Sequence, residues 1–306
     1  MRKKWGNRIG AIVLACALTV NGLPVQSIST STRKANAAAK SETEKQDVSQ
    51  PETKMGNVVL NGNDIAVNNV NGLTYKGFGM LSGNSTSDLL MDYKAEQPKA
   101  YAELMQYLFG GNYPIMNHVK LEMGNDRNTS TGPESCTKRT EKEKANVLRN
   151  PGWQLAADAK KINPKIKVSI LRWEAPVWAG TDEKIYQWYK ETILDAYEKY
   201  GYMVDYINPN INEQWDVDSD VAFTKKFAKW IAAETKETIP DEKALALYHK
   251  IKLVVSDEAG TASDSVVESM KSDSDFYNSV DVVGYHYSPW DDSNGGMKWL
   301  AQTKDK

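Results

Sequence analysis

Tyr206-Ile207-Asn208-Pro209-Asn210-Ile211-Asn212-Glu213 is a largely apolar run that closes on an amide and an acid. It reads as a buried β-strand whose end presents two polar side chains. Comparable short runs occupy 75–81, 117–123, 166–171, 251–256 and 280–287, so six strands are expected in all. Helical periodicity fills the gaps. It covers 100–109 and 153–162, the latter halted by Asn163-Pro164. It also sets Ile185, Trp188, Tyr189, Thr192, Ile193, Ala196 and Tyr200 on one helical face, with Gly201 placed as a C-terminal cap. Phe223, Phe227, Trp230 and Ile231 mark a fourth helix. Strand and helix in alternation imply a parallel sheet flanked by helices. A doubly wound sheet and a (β/α) barrel both satisfy that order. The first strand is followed by no Gly-rich phosphate loop, which disfavours a nucleotide-binding fold.

The N-terminus predicts export. Arg2, Lys3, Lys4 and Arg8 precede an uncharged apolar stretch from Ile9 to Val20, and small residues cluster at Ala35-Asn36-Ala37-Ala38-Ala39. The stretch falls short of the roughly 20 residues a membrane span needs. Cys16 raises a lipoprotein signal, but Leu14 fits that motif poorly, so simple secretion with cleavage near Ala37 or Ala39 is expected. Residues 40–56 are polar and charged and read as a disordered linker, leaving 57–306 as the folded part. Loss of 1–39 removes six basic and no acidic residues, so 32 Lys and Arg face 40 Asp and Glu, a net charge of −8. An acidic secreted protein is a poor partner for nucleic acid or an anionic membrane. One cysteine, Cys136, remains, which excludes an intrachain disulfide. His118, His249 and His286 are too scattered to suggest a metal site, and no cofactor is expected. The 9 Trp and 15 Tyr against 5 Phe suit a sugar-binding cleft, and suit an aromatic core equally well.

In a (β/α) barrel the chemistry sits at the C-terminal ends of the strands. Glu122 and Asp126, Trp173, Glu174 and Trp178, Asn212 and Glu213, Asp257 and Glu258, and His286 and Tyr287 all fall there. A glycosidase needs a carboxylic acid to protonate the leaving oxygen and a neighbour to bond the sugar 2-hydroxyl. Asn212-Glu213 supplies both from one piece of backbone. Trp173 and Trp178 offer flat faces for sugar C–H groups, or core packing. Asp257 is expected to cap a helix.

Several segments resemble glycoside hydrolase family 59, the galactosylceramidases. They are Gly77-Phe78-Gly79-Met80-Leu81-Ser82-Gly83 with Ser87-Asp88-Leu89-Leu90, and Val119-Lys120-Leu121-Glu122-Met123-Gly124-Asn125-Asp126. Further along come Ile162-Asn163-Pro164, then Leu171-Arg172-Trp173-Glu174-Ala175-Pro176-Val177-Trp178-Ala179-Gly180, and Asp205-Tyr206-Ile207 leading to Asn212-Glu213. Val255-Ser256-Asp257 and Asp281-Val282-Val283-Gly284-Tyr285-His286-Tyr287 complete the ordered set.

The resemblance implies a TIM-barrel retaining β-galactosidase acting on a galactosylceramide-like glycolipid or a glycan. It makes Glu213 the general acid/base. It makes Asn212, Trp173, Ser130, Gly83, His286 and Tyr287 substrate-binding residues, with Ser130 where the family uses a threonine. Pro209 departs from the pattern and suggests a bulge, since it cannot donate to the ladder. The family's nucleophile is a glutamate ending the seventh strand, and no glutamate follows Glu268 here. The nucleophile is therefore expected beyond Lys306, with about six of eight βα units present in 57–306. An open sheet of that kind is expected to be poorly stable by itself. Two other readings stay open: a related barrel acting on glucosides or xylosides, and a sugar-binding remnant without turnover.

Overall fold

The computed structural model describes residues 76–127, 132–258 and 261–286, together with Thr303 and Lys306. The expected signal at 1–39, the linker at 40–56, Ser130 and Tyr287 lie outside the described residues. Six strands form one sheet: β1 (Phe78–Ser82), β2 (Met116–Glu122), β3 (Lys167–Arg172), β4 (Tyr206–Ile211), β5 (Lys252–Glu258) and β6 (Val282–Tyr285). Between them run α1 (Thr86–Glu96), α2 (Pro98–Phe109), α3 (Pro151–Ile162), α4 (Asp182–Tyr200), α5 (Val217–Ala233), α6 (Glu242–Tyr248), α7 (Thr261–Ser272) and α8 (Ser274–Ser279). No helix among the described residues is long and apolar enough to cross a membrane.

Strand order decides between the two architectures the sequence allows. All five pairings are parallel and the order is β1-β2-β3-β4-β5-β6. A doubly wound sheet reverses direction at a switch point, and this one never does. The sheet also curls. Lys120 on β2 forms an ion pair with Asp257 on β5. In a flat sheet three strand spacings would separate them by about 14 Å, beyond the combined reach of the two side chains. The described residues are thus a partial (β/α) barrel, with β2 and β5 facing each other across its interior.

The two faces of β2 show how the sequence sorts itself. Val119 and Leu121 are fully buried among apolar residues, while His118, Lys120 and Glu122 alternate with them on the other face. On the helix side Val119, Leu121, Val168 and Ile170 pack with Phe109, Trp153, Trp188, Tyr189 and Phe227. Trp153 and Trp188 therefore belong to the core, the second of the two uses open for tryptophan. A smaller cluster of Val255, Val266, Met270, Phe276 and Val280 sits under β5. Helix starts follow local chemistry. Asn150, Thr181, Asp216, Asp241 and Asp273 each accept a backbone N–H of the helix they precede. Gly201 closes α4 at φ 78°, in the left-handed region that glycine enters without a Cβ penalty.

The bulge that Pro209 suggests is present. Ile170 pairs with Ile207 but Arg172 pairs with Ile211, so β4 advances four residues while β3 advances two. Pairing of β4 with β5 covers only Tyr206 and Ile207. Side chains take over from the interrupted ladder. Tyr189 donates its hydroxyl to the Asn208 carbonyl at 2.9 Å, and Arg172 Nε donates to the Pro209 carbonyl at 3.1 Å. The Asn210 N–H reaches Asn208 Oδ1 at 3.1 Å, and Asn210 Nδ2 reaches Thr224 Oγ1 at 3.0 Å. Tyr189→Phe removes the phenol donor from a buried carbonyl. It is expected to lower stability by about 1–3 kcal/mol, measured by urea unfolding. An unchanged midpoint would show that the bulge stands without this bond.

Candidate active site

The bulge delivers Asn212 and Glu213 to the C-terminal rim of the sheet. The Asn212 N–H donates to the Arg172 carbonyl at 2.9 Å, which stitches the pair back onto β3. Asn212 is 1 % exposed, whereas the Glu213 side chain is 41 % exposed and leaves the strand at φ 64°. A buried amide therefore anchors an acid that reaches open space. Asn212 Nδ2 lies 3.3 Å from Glu213 Oε1.

Residues from the five other strands gather at the same end. Gly83 follows β1 with no room for a side chain. A Cβ there would lie 2.9 Å from Glu122 Oε2 and 3.5 Å from the Trp173 ring. The Asn84 N–H donates to Glu122 Oε2 at 2.7 Å. Trp173 is half-buried beside them. His286 follows β6, with Nε2 3.1 Å from Glu213 Oε1 and Nδ1 3.2 Å from Asp257 Oδ1. Asp257 does not cap a helix as expected. It is held by Lys120 on one oxygen and His286 on the other. Ser256 and Asp257 both have positive φ, 71° and 73°, where β5 bulges against β6. That backbone turns Asp257 into the barrel interior.

Other expected candidates serve the loops. Asp126 accepts two bonds from Arg139, at 2.8 and 2.9 Å, and these hold its carboxyl below the usual range. Trp178 donates Nε1–H to the Lys138 carbonyl at 2.9 Å, and the Lys138 ammonium lies 5.0 Å from its ring. Glu174 pairs with Arg127 at 2.7 Å on the exposed rim.

Two carboxyls near Glu213 carry unusual electrostatics. Burial pushes Glu258 up to about 7, and the negative charges of Asp257, Asp220 and Glu213 add to the effect. Burial likewise lifts Asp220 to about 6, against the pull of Arg172. Sequence reasoning weighed Glu258, with Asp257, only as a strand-end acid in a nucleophile's position, and missed Lys120 and Asp220 as functional residues. The signal for Lys120 was present: a lysine at the centre of an apolar strand has to reach a partner inside the fold.

Curled parallel sheet, sequential strand order and polar residues at the strand ends define a (β/α) barrel of the kind glycosidases use. Solved structures agree at the level of fold. SrfJ from Salmonella typhimurium superposes with a TM-score of 0.57 at 16 % identity, over 75 % of this chain and 54 % of that one. The endo-β1,6-glucanase BT3312 gives 0.54 at 14 %, over 75 % and 55 %. Residues 75–306 match glycosyl hydrolase family 59, and the chain belongs to that family. It is 30 % identical to the galactocerebrosidase of Mus musculus over 242 residues, covering 76 % of this chain and 33 % of that one. The Homo sapiens galactocerebrosidase is 30 % identical over 220 residues, covering 71 % and 30 %. The chain thus spans about a third of the length of these relatives.

Glu258 makes a prediction with a definite sign. Its folded-state value lies above its ordinary 4.5, so the folded protein holds that proton more tightly than the unfolded chain. Stability is then lost as pH rises from 4.5 through about 7. Glu258→Gln removes this contribution. The gap in unfolding free energy between about pH 5 and about pH 8 is expected to shrink by about 1–3 kcal/mol. Denaturant unfolding at both pH values checks it, and an unaltered gap would contradict it.

Proposed function

We propose that the protein is a secreted retaining β-galactosidase of galactosylceramidase type. It cleaves terminal β-galactosides of a galactosylceramide-like glycolipid or a glycan by double displacement. The observation that carries this reading is Asn212-Glu213 at the end of β4 in a family 59 chain, the amide buried and the acid exposed.

In the first step Glu213 gives its proton to the glycosidic oxygen. The C1–O bond breaks with its electrons going to that oxygen, while a nucleophilic carboxylate bonds to C1. In the second step Glu213, now a carboxylate, takes a proton from water as the water oxygen displaces the enzyme from C1. The family resemblance supports a glutamate beyond Lys306 as that nucleophile. Retention requires it roughly 5–5.5 Å from Glu213. Asn212 Oδ1 faces no hydrogen-bond partner among the described residues and suits a sugar hydroxyl. Trp173, whose ring lies beside Gly83, is the expected stacking surface, and Ser130, Gly83, His286 and Tyr287 complete the expected sugar contacts.

The test uses the full-length protein and a panel of aryl and alkyl glycosides. Glu213→Ala is expected to lower turnover of an alkyl galactoside by about 10²–10⁴-fold. It should spare the glycosylation step on a dinitrophenyl galactoside, whose leaving group needs no proton. Full activity of the variant on the alkyl galactoside would remove Glu213 from the mechanism. Preference for glucosides or xylosides would overturn the substrate, and an α-anomer as first product would overturn retention.

A further inference from the structure

Three side chains connect β2 to Glu213 across the barrel. Lys120 Nζ meets Asp257 Oδ2. Asp257 Oδ1 lies 3.2 Å from His286 Nδ1, and His286 Nε2 lies 3.1 Å from Glu213 Oε1. The Asp257 and His286 side chains are only 15 % and 16 % exposed, so the middle of the chain is shielded while its Glu213 end is open.

This order of groups constrains where hydrogens sit. An aspartate with an ammonium on one oxygen is a carboxylate and can only accept. His286 Nδ1 faces the other oxygen of that carboxylate and must therefore carry a hydrogen. Nε2 faces Glu213 in one of two states. A bare lone pair best meets Glu213 carrying its proton, and an N–H best meets Glu213 as carboxylate.

We infer that Lys120, Asp257 and His286 form a positioning relay that locks His286 with hydrogen on Nδ1 and so turns the bare Nε2 of the neutral ring toward Glu213. The inference deepens the acid/base reading of Glu213 and rests on it. Glu258 on β5 lies within electrostatic reach of Glu213, and Asp220 on α5 within reach of Glu258. Arg172 on β3 faces Asp220, and Asn212 Nδ2 approaches Glu213 Oε1 at 3.3 Å. When the proton leaves for the glycosidic oxygen, Glu213 is a carboxylate and His286 is neutral with Nδ1–H. Attack by water returns a proton to Glu213 and restores the pair. Lys120 and Asp257 touch neither sugar nor reacting atom; they act through His286 and Glu213.

In nitrogen-labelled histidine NMR of the full-length protein, the His286 signal is assigned by its loss in His286→Gln. Wild type is expected to show hydrogen on His286 Nδ1 at every pH where the ring is neutral. Asp257→Asn, whose amide can donate, should move that hydrogen to Nε2, and Lys120→Met should move it part of the way. In kinetics both variants should displace the acidic-group limb of the pH profile of kcat/KM. They should slow an alkyl galactoside about tenfold or more and largely spare a dinitrophenyl galactoside. A neutral wild-type ring with hydrogen on Nε2 overturns the relay, and that spectrum needs no variant. Equal loss on both substrates with an unmoved pH profile overturns it too. If wild type cleaves no galactoside, the proposed function fails, and the tautomer alone then decides the relay.

Discussion

Pro209 has no N–H, and the site is arranged around that missing donor. A proline inside a central strand interrupts the ladder. Here the interruption becomes a bulge of two extra residues between Ile207 and Ile211. The bulge stands because Tyr189, Arg172 and the Asn208 side chain satisfy its backbone from both sides. Its consequence is local and directional. The chain returns to β3 at Asn212, whose N–H takes the Arg172 carbonyl, and Glu213 leaves the strand at positive φ. The packing of α4 against the sheet thus reaches the acid through one phenol, and β3 reaches it through one guanidinium.

The second feature is a concentration of charge. Asp257, Asp220 and Glu213 all act on Glu258, and burial works against the ionised forms of Glu258 and Asp220. Lys120 offsets part of this from the far side of the barrel by pairing with Asp257. An uncompensated carboxylate at that depth would be costly, so the lysine and the acids have to be considered as one unit. That unit also curls the sheet across β2 and β5, so fold and electrostatics meet at one contact.

Legibility in the sequence followed periodicity. All six strands were visible because buried parallel strands are continuous apolar runs. The helices with an apolar stripe, α2 to α5, were visible as well. Helix α1 buries only Ser87 among its residues, so it offers no stripe to detect. The short helices α6 and α8 span seven and six residues, too few for a periodicity to establish itself. Asn212 and Glu213 were readable because residue type and strand-end position coincide. The expected capping role of Asp257 was not borne out, because its partners lie 137 and 29 residues away in the chain. Nothing local distinguishes an aspartate that caps from one that faces a lysine across a barrel.

The sequence alone determined the alternation of strands and helices, the family, and the amide–acid pair at the end of β4. These depend on local pattern and on ordered motifs, which survive without coordinates. Tertiary structure decided the sequential strand order, the division of tryptophans between core and rim, and the grouping of Lys120, Asp257, His286 and Glu213. Those four come from β2, β5 and the residues that follow β6 and β4. Only the curl of the sheet brings them together, because strand ends far apart in sequence converge at the rim of a parallel barrel.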